Sequence, residues 1–336
     1  MKKSNRRVFI KTAALSGVGL TVGGLNAFGL SHRVGVLSGK RVGIIGLDTS
    51  HSVAFTKMLN AQHPDPKLRG YQVVAAYPYG SRTITSSAKR IPGYVNDVKN
   101  YGVAIVDSID ALLAQVDVVL LETNDGRLHL EQAIPTIKAG KRLFIDKPIA
   151  ASLEDARSIF EVAAKHGTPV FSSSSLRYTE NIAAIRSGEL IGKVIGADTY
   201  SPAKIEPTHP DLFWYGIHGV EMLYAVMGMG CVSVSRIHTA DSDVVVGRWS
   251  DGRIGTFRGT RSGRSSYGGT AHGEKGPIVI SPYDGYAPLL YKIVEFFETG
   301  IPPVDAVETL EILAFMAAAD ESKRQGGKVV RLKEIG

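Results

Sequence analysis

Short apolar strands and helical segments alternate along the first half of this 336-residue chain. Strand patterns lie at residues 41–47, 71–76, 103–106, 116–121, 142–145 and 168–171. Neighbouring parallel strands need a crossover connection of a dozen or more residues, which is usually a helix. The alternation therefore predicts an α/β fold that begins with a doubly wound parallel sheet.

The pattern changes in the second half, where strands follow one another across turns and one helix, over 214–227, interrupts them. Strand patterns lie at residues 193–205, 231–240, 243–249, 252–260 and 277–281, and helices over about 286–299 and 306–325 follow. This order predicts an α+β domain with a mostly antiparallel, open sheet. Because the chain is longer than one core usually is, we expect domains at 38–150 and 151–330, preceded by a separate segment at 1–30.

The segment at 1–30 holds most of the excess positive charge. The net charge is +7, and five basic residues without an acid lie in this segment, which leaves +2 for the rest. That distribution argues against nucleic-acid binding. Arg6 and Arg7 precede an apolar run, as in a twin-arginine signal that is read by an export machinery. We expect a periplasmic or exported protein, with a membrane anchor formed by an uncleaved signal as the alternative.

Cysteine and metal-ligand patterns exclude two classes of site. The single cysteine, Cys231, excludes an intrachain disulfide. No group of His, Cys, Asp and Glu has the sequence spacing of metal ligands. We therefore expect no metal site.

A charged tripeptide, Asp146-Lys147-Pro148, follows the strand pattern at 142–145. Ligands of open α/β sheets bind at the carboxyl ends of the strands, where this tripeptide is expected. A partly buried lysine suits proton transfer because its surroundings shift its pKa readily. The proline permits a cis peptide bond that would fix the direction of the lysine. Lys147 is therefore a candidate catalytic residue.

A turn with two glycines follows the first strand pattern and matches part of the dinucleotide fingerprint, without its last glycine. Thr49 and Ser50 are placed to cap the next helix and to bind a phosphate at its N-terminus. We expect His51 to reach a pyrophosphate, and Asp48 to point away from it or to bind a ribose. The candidate cofactor-binding residues of this turn are Gly43, Gly46, Asp48, Thr49, Ser50 and His51.

The connection after the second strand pattern is long and polar, over residues 78–100. An acid that would bind the adenosine ribose is missing at its start. Ser81 and Arg82 stand there instead, and such a pair is suited to a 2′-phosphate. Both NAD and NADP therefore remain candidate cofactors.

Six motifs, in order, resemble the glucose–fructose oxidoreductase / inositol dehydrogenase / MocA (Gfo/Idh/MocA) family over residues from about 40 to 330. They are the turn Gly43–Gly46, the stretch from Val118 to His129, Ala139–Pro148, Ile191–Val194, Gly216–Leu223 and the turn Gly273–Gly276. The resemblance implies a Rossmann domain that binds the dinucleotide and a second domain that binds the substrate. It also implies a homo-oligomer formed through the sheet of the second domain.

The resemblance implies roles for individual residues, with Lys147 and His218 as the catalytic pair. To the cofactor-binding residues it adds Glu122, Asn124, His129, Asp146 and Lys147. Where the family often has Asp, four residues before His218, this chain has Trp214. Lys147 is therefore expected to work with His218 or with a tyrosine. The candidate substrate-binding residues are Arg177, Tyr178, Trp214, Tyr215, His218 and Glu221.

These features predict a nicotinamide-dependent oxidoreductase that transfers a hydride at a carbon of a sugar, glycoside or polyol. Free nicotinamide nucleotides are not expected outside the cytoplasm, so an exported enzyme would hold its cofactor tightly. One alternative is a redox-neutral glycosidase, lyase or epimerase that passes through a transient keto sugar. Another is a non-catalytic homologue that binds sugars or nucleotides.

Overall fold

The first sheet of the protein is parallel and has six strands. A computed structural model describes residues 39–335. The strands are β1 (Arg41–Ile45), β2 (Gln72–Tyr77), β3 (Ala104–Ile105), β4 (Val118–Leu121), β5 (Leu143–Ile145) and β6 (Val170–Ser172). Their spatial order is β3-β2-β1-β4-β5-β6, and every neighbouring pair is parallel. The predicted doubly wound sheet is confirmed.

Helices connect these strands, and two of them begin at a serine side-chain cap. They are α1 (Ser50–Leu59), α2 (Thr85–Ala88), α3 (Ile91–Lys99), α4 (Ile109–Leu113), α5 (His129–Lys138) and α6 (Leu153–His166). At the start of α6 the amide of Asp155 donates to Ser152 Oγ at 3.0 Å. The long connection predicted at 78–100 contains α2 and α3. Pro92 is compatible with α3 because it lies in the first turn, where an N–H has no partner within the helix.

The second sheet has seven strands and is mostly antiparallel. They are β7 (Val194–Pro202), β8 (Cys231–His238), β9 (Ser242–Trp249), β10 (Ile254–Thr260), β11 (Gly268–Gly273), β12 (Gly276–Val279) and β13 (Val330–Arg331). Their order is β12-β11-β7-β10-β9-β8-β13, in which the pair β7 and β10 is parallel. The predicted second sheet is confirmed, with two strands added: β11, in a glycine-rich stretch that carries no alternating pattern, and the two-residue β13.

Five helices accompany the second sheet along the chain. They are α7 (Ile182–Arg186), α8 (Asp211–Trp214), α9 (Ile217–Met227), α10 (Ala287–Thr299) and α11 (Ala306–Arg324). The single helix predicted over 214–227 is divided at Tyr215 and Gly216 into α8 and α9. Helix α9 is buried throughout and packs closely on the sheet, since a Cβ at Gly219 would lie 2.3 Å from the ring of Phe257.

Helix α10 packs on the first sheet although it belongs to the last part of the chain. Its residues Leu290, Ile293 and Phe296 share a buried apolar cluster with β1 and β6. The ring of Phe296 meets that of Phe171 edge-on at 4.7 Å. The first sheet and its cover thus extend beyond residue 150, and the domain boundaries stay a prediction.

The segment predicted to be an export signal, residues 1–30, lies outside the described residues. Within residues 39–335, none of the helices combines the length and the apolar character needed to cross a membrane.

Candidate active site

A cleft of about 500 Å³ lies at the carboxyl ends of β1, β4 and β5. This volume falls in the range of about 300–1,000 Å³ that is typical of sites for small ligands. Its walls come from the loops of the first sheet and from α8, α9 and the segments before β11 and α10. Of the predicted site residues, the cleft brings together Thr49, Ser50, His51, Asn124, Asp146, Lys147, Trp214, Tyr215 and His218.

Lys147 lies in the wall of this cleft, directly after β5. The peptide bond between Lys147 and Pro148 is cis. The lysine Nζ lies 3.6 Å from Asp146 Oδ2, and the side chain is 10% exposed. Lys147 is thus a nearly buried cation next to a buried carboxylate, in a position to meet a ligand in the cleft.

Asp146 joins Lys147 to His51. His51 Nδ1 lies 3.1 Å from Asp146 Oδ1, which also accepts the amide of Lys147 at 2.8 Å. Burial raises the pKa of Asp146, but His51 and Lys147 outweigh it and hold that pKa well below its usual range. The imidazole of His51 lines the cleft beside Thr49 and Ser50, with Nδ1 directed to Asp146 and the ring edge-on to Tyr286. Its predicted contact with a pyrophosphate stays a prediction.

Glu122 follows β4 and lies behind His51 and Asp146, fully buried. Its Oε2 is 3.8 Å from His51 Nδ1, and neither carboxyl oxygen has a hydrogen-bond partner among the described residues. Burial, and next the charge of Asp146, raise the pKa of Glu122 well above its usual value. Glu122 does not line the cleft, so the predicted direct contact with the cofactor is not supported by the geometry.

His218 enters the cleft from α9. Its Nδ1 lies 2.8 Å from Ser174 Oγ, in the polar segment after β6. Burial, followed by the charge of Lys147, lowers the pKa of His218 well below its usual value. The imidazole is therefore neutral near pH 7, and Nε2 is the ring nitrogen that remains to meet a ligand.

The N-terminus of α1 opens into the same cleft at Thr49 and Ser50. Within the described residues, Thr49 makes no side-chain cap, and its buried Oγ1 has no hydrogen-bond partner. The predicted Thr49 cap is therefore wrong. Uncapped amides and the helix dipole favour an anion at such a position. These residues fit the pyrophosphate of a dinucleotide.

Asp48 replaces a glycine of the fingerprint and ties three loops together. Aligned at Gly46, which has φ +87°, the pattern G-x-G-x-x-G places glycines where this chain has Asp48 and His51. The buried carboxylate accepts the amides of Ser81 and Asn124 at 2.8 and 2.9 Å. Burial raises the pKa of Asp48 to about 6. This carboxylate points into the loops after β2 and β4, which agrees with the predicted orientation away from the pyrophosphate.

The two glycines of the turn allow neighbouring segments to pack closely against the backbone of β1 and its loop. A Cβ on Gly46 would lie 2.4 Å from Thr123 Oγ1 and 2.6 Å from its backbone, so the loops after β1 and β4 meet there. Gly43 lies inside β1, where a Cβ would meet Val116 and Leu112 at 3.0–3.1 Å. Gly43 therefore packs against α4 and is not among the residues that line the cleft, so the geometry does not support its predicted contact with the cofactor.

Ser81 and Arg82 do not form the predicted 2′-phosphate pair. Ser81 is buried, and its hydroxyl donates to Asp125 at 3.0 Å. Arg82 lies with its guanidinium 5.8 Å from the centre of the Tyr79 ring. The Ser81 hydroxyl is thus engaged in holding its own loop, and the choice between NAD and NADP stays a prediction.

Asn124 and His129 organise the loop after β4. The Asn124 side chain donates to Ser87 Oγ at 2.7 Å and lines the cleft. His129 is buried, with Nδ1 3.1 Å from the carbonyl oxygen of Ile149 and Nε2 2.6 Å from that of Thr123. The ring thus connects the loop after β4 to the chain after Pro148, and does not reach the cleft itself.

Arg177, Tyr178 and Glu221 lie outside the cleft, which corrects their prediction as substrate contacts. Arg177 is buried and donates to Glu221 Oε2 at 2.7 Å and to Glu308 Oε1 at 2.6 Å. The arginine neutralises two buried carboxylates that link α9 to α11. The Glu221 carboxylate is therefore bound by Arg177, and the hydrogen-bond partner of His218 is Ser174.

Several residues of the cleft were missed by the sequence analysis. Arg90 precedes α3, and its Nη1 lies 3.4 Å from the carbonyl oxygen of Asp48. Tyr215 and Tyr267 bring their hydroxyl oxygens within 3.1 Å of each other beside His218. The other cleft residues not predicted are Ser86, Tyr94, Ser175, Leu176, Lys204, Tyr283 and Tyr286. They lie in connections without a periodic pattern, so only the polar or aromatic character of most of them could have identified them as candidate site residues.

Residues 40–174 match the family described as "Oxidoreductase family, NAD-binding Rossmann fold". The match covers the first sheet, the α1 terminus and Lys147. Over these residues the chain is similar to the Gfo/Idh/MocA oxidoreductases. This similarity agrees with the six-stranded parallel sheet and with the cleft at the carboxyl ends of its strands.

One curated relative and two solved structures illustrate the breadth of this family. The chain is 27% identical over 164 residues to a 1,5-anhydro-D-fructose reductase of Ensifer adhaerens, an alignment that spans 47% of this chain and 46% of the reductase. A putative myo-inositol dehydrogenase from Sinorhizobium meliloti superposes with a TM-score of 0.71 at 19% identity, over 87% of this chain and 99% of that one.

The second structure is a scyllo-inositol dehydrogenase from Lactobacillus casei with bound NAD(H) and scyllo-inositol. It gives a TM-score of 0.67 at 17% identity, over 87% of this chain and 99% of that one. At such identities the two structures establish a shared fold for both sheets.

Proposed function

We propose that this protein is a nicotinamide-dependent oxidoreductase that acts on a secondary hydroxyl or a carbonyl of a carbohydrate or polyol. One observation carries the proposal: Lys147 from the first sheet and neutral His218 from α9 line the same cleft as the uncapped N-terminus of α1. A proton-transfer pair and a phosphate site are thereby within one cavity, as a dehydrogenase requires.

The cofactor would lie along the loops of the first sheet. When bound, the nicotinamide supplies the hydride chemistry. The α1 terminus with Thr49 and Ser50 would hold the pyrophosphate, and Arg90 would add a positive charge beside it. Asn124, fixed by Asp48 and Ser87, would contact the part of the cofactor near β4.

Lys147 is the residue that we expect to exchange a proton with the substrate oxygen. Its Nζ lies beside the carboxylate of Asp146, which holds the ammonium in place. His218, held by Ser174, would bind the same hydroxyl through Nε2. Burial raises the pKa of Tyr267, and its hydrogen bond with Tyr215 raises this pKa further. The tyrosine therefore stays protonated near pH 7 and serves as a donor.

The aromatic wall of the cleft fits a ring with hydroxyl groups. Trp214, Tyr215, Tyr283 and Tyr286 offer apolar faces and hydroxyls together. The named relatives include a reductase of 1,5-anhydro-D-fructose and a dehydrogenase with bound scyllo-inositol, both of which act on or bind six-membered polyhydroxy rings. We infer a substrate of that class.

NAD is the cofactor that the geometry favours over NADP. A 2′-phosphate needs donors at the end of β2, and there the Ser81 hydroxyl donates to Asp125 while Arg82 packs over Tyr79. We propose tight retention of the nucleotide on the ground of the Arg6-Arg7 signal, because an exported enzyme would need it. Release of nucleotide from purified protein by acid, with its mass and amount per chain, tests both points. Empty protein, or protein with NADP, would contradict them.

The reaction is tested by following the absorbance of the retained nucleotide at 340 nm after inositols, 1,5-anhydro sugars or aldoses are added. Reduction of the bound nucleotide by at least one of these compounds is expected, and Lys147→Ala should abolish it. An absence of this reduction, together with an absence of reoxidation of the reduced protein by keto sugars, would refute the proposed function.

A further inference from the structure

Three buried side chains converge beneath the cleft: His51 from α1, Glu122 after β4 and Asp146 after β5. One ligand atom of each, an imidazole nitrogen and two carboxylate oxygens, lies within 4.8 Å of the others. His51 Nδ1 is 3.1 Å from Asp146 Oδ1 and 3.8 Å from Glu122 Oε2. Each residue is at least nine-tenths buried. The parallel sheet alone brings together residues that are 95 positions apart in the chain.

Glu122 is the observation that calls for a ligand. Among the described residues, it is the one buried carboxyl group for which neither oxygen has a hydrogen-bond partner. Other buried acids are well paired: Asp48 accepts two amides, and Glu221 and Glu308 accept from Arg177. A buried carboxyl without partners is unfavourable, and buried charges are normally paired or coordinate a metal.

Neither a proton nor Lys147 supplies the missing partner. A protonated Glu122 would carry a hydroxyl without an acceptor among the described residues, since neither of its carboxyl oxygens has a hydrogen-bond partner there. Lys147 Nζ lies 3.6 Å from Asp146 Oδ2, and this oxygen too has no hydrogen-bond partner. Two oxygens of Glu122 and one of Asp146 are thus buried without a hydrogen-bond partner among the described residues.

We propose that His51, Glu122 and Asp146 bind one divalent cation of the manganese or zinc class at the floor of the cleft. An ion about 2.1 Å from each ligand requires ligand atoms roughly 3–3.5 Å apart, close to the two measured separations. Imidazole together with carboxylates favours a transition metal over Ca²⁺. His51 and Asp146 line the cleft, so water or a ligand hydroxyl can complete the coordination from that side.

The inference does not rest on the proposed function. Binding is measured on the full chain, without nucleotide or substrate. The chain also offers a matched control, because the exposed pair His272 and Asp198, 2.9 Å apart on the second sheet, is a His–carboxylate pair of the kind that binds ions adventitiously.

Chelator-treated protein is dialysed against Mn²⁺ alone, and free Mn²⁺ is measured by electron paramagnetic resonance. One bound Mn²⁺ per chain is expected, with Glu122→Gln weakening binding at least about tenfold and Asp198→Asn leaving it unchanged. Electron spin echo envelope modulation of the wild-type complex should show a directly coordinated nitrogen, which needs no variant. No binding at millimolar Mn²⁺, no coordinated nitrogen, or equal loss in both variants would overturn the proposal.

Discussion

At the scale of single residues, the chemistry centres on the charged tripeptide that ends β5. The sequence predicted that Lys147 would lie at the edge of a parallel sheet, and the structure places it in the cleft wall. The surroundings of Asp146, the partner of Lys147, were not predictable. His51 and Glu122 come close to Asp146 only because the strand order is β1-β4-β5. Nor was Ser174 predictable as the partner of His218, since their contact joins positions 44 residues apart.

His218 gives the first prediction, which concerns stability against acid. Burial and the charge of Lys147 lower its pKa in the folded state, whereas the unfolded chain has an ordinary pKa of about 6.5. Below about pH 6.5 the unfolded state binds a proton that the folded state does not, so the stability that His218 contributes is lost as pH falls.

We expect the urea midpoint of the wild type to fall more steeply from pH 7 to pH 5 than that of His218→Asn. Parallel slopes in the two proteins would show that His218 titrates normally in the folded state.

At the scale of secondary-structure elements, strand order and helix positions were largely predictable, but connections were not. Periodicity identified eleven of the thirteen strands, most of which place apolar residues in a core. It missed β11, in which three of six residues are glycine, the two-residue β13, and α2 and α3, which are short and polar. The break between α8 and α9 also escaped prediction, since its residues are as apolar and aromatic as those of the helices.

Asp48 gives a prediction at this scale, because it joins the loops after β1, β2 and β4. Its folded-state pKa of about 6 lies above the unfolded value of about 3.9. Between these values the folded state binds the extra proton, so this group makes stability fall as pH rises from about 4 to 6.

Substitution Asp48→Asn should remove this fall in the free energy of unfolding between about pH 4 and pH 6, which amounts to at most ~3 kcal/mol. It should also lower the free energy of unfolding at pH 7, since an amide cannot accept both backbone N–H groups with two oxygens. Denaturant unfolding at pH 4, 5, 6 and 7 measures both effects. An unchanged pH slope in the variant would contradict the assignment.

The packing of α9 on β10 gives a further prediction. A Cβ on Gly219 would lie 2.3 Å from the ring of Phe257, so Gly219→Ala should lower the free energy of unfolding by about 1–3 kcal/mol. Gly93 in α3 provides the control, because nothing lies within 4 Å of its Cβ position. Gly93→Ala should raise stability by about 0.5–1 kcal/mol. Equal effects of the two changes would count against the tight packing of α9.

At the scale of the whole molecule, the two sheets share one cleft, and the second sheet carries exposed apolar residues. The largest exposures on its strands are those of Val279 (71%), Ile237 (70%), Ile254 (54%) and Ile195 (53%). An open sheet with such residues is suited to contact another molecule. We propose that this sheet forms a homo-oligomer, as predicted from the family resemblance.

Light scattering combined with size-exclusion chromatography tests the assembly. The wild type should elute as an oligomer, and Ile237→Glu should shift it toward the monomer. Val307→Glu, at an equally exposed position on α11, should leave the assembly intact. A monomeric wild type, or an oligomer that both variants disrupt alike, would exclude this surface.

The central claim is that Lys147 exchanges the proton of the reacting hydroxyl. The most direct test is the kcat of Lys147→Met with the best polyol substrate, together with the Kd of NAD⁺ from fluorescence titration of protein that has been freed of its nucleotide. Removal of a general acid–base is expected to lower kcat by about 10²–10⁴-fold, while the Kd changes less than about threefold because the pyrophosphate site at α1 is intact. A kcat within threefold of the wild type would contradict the claim.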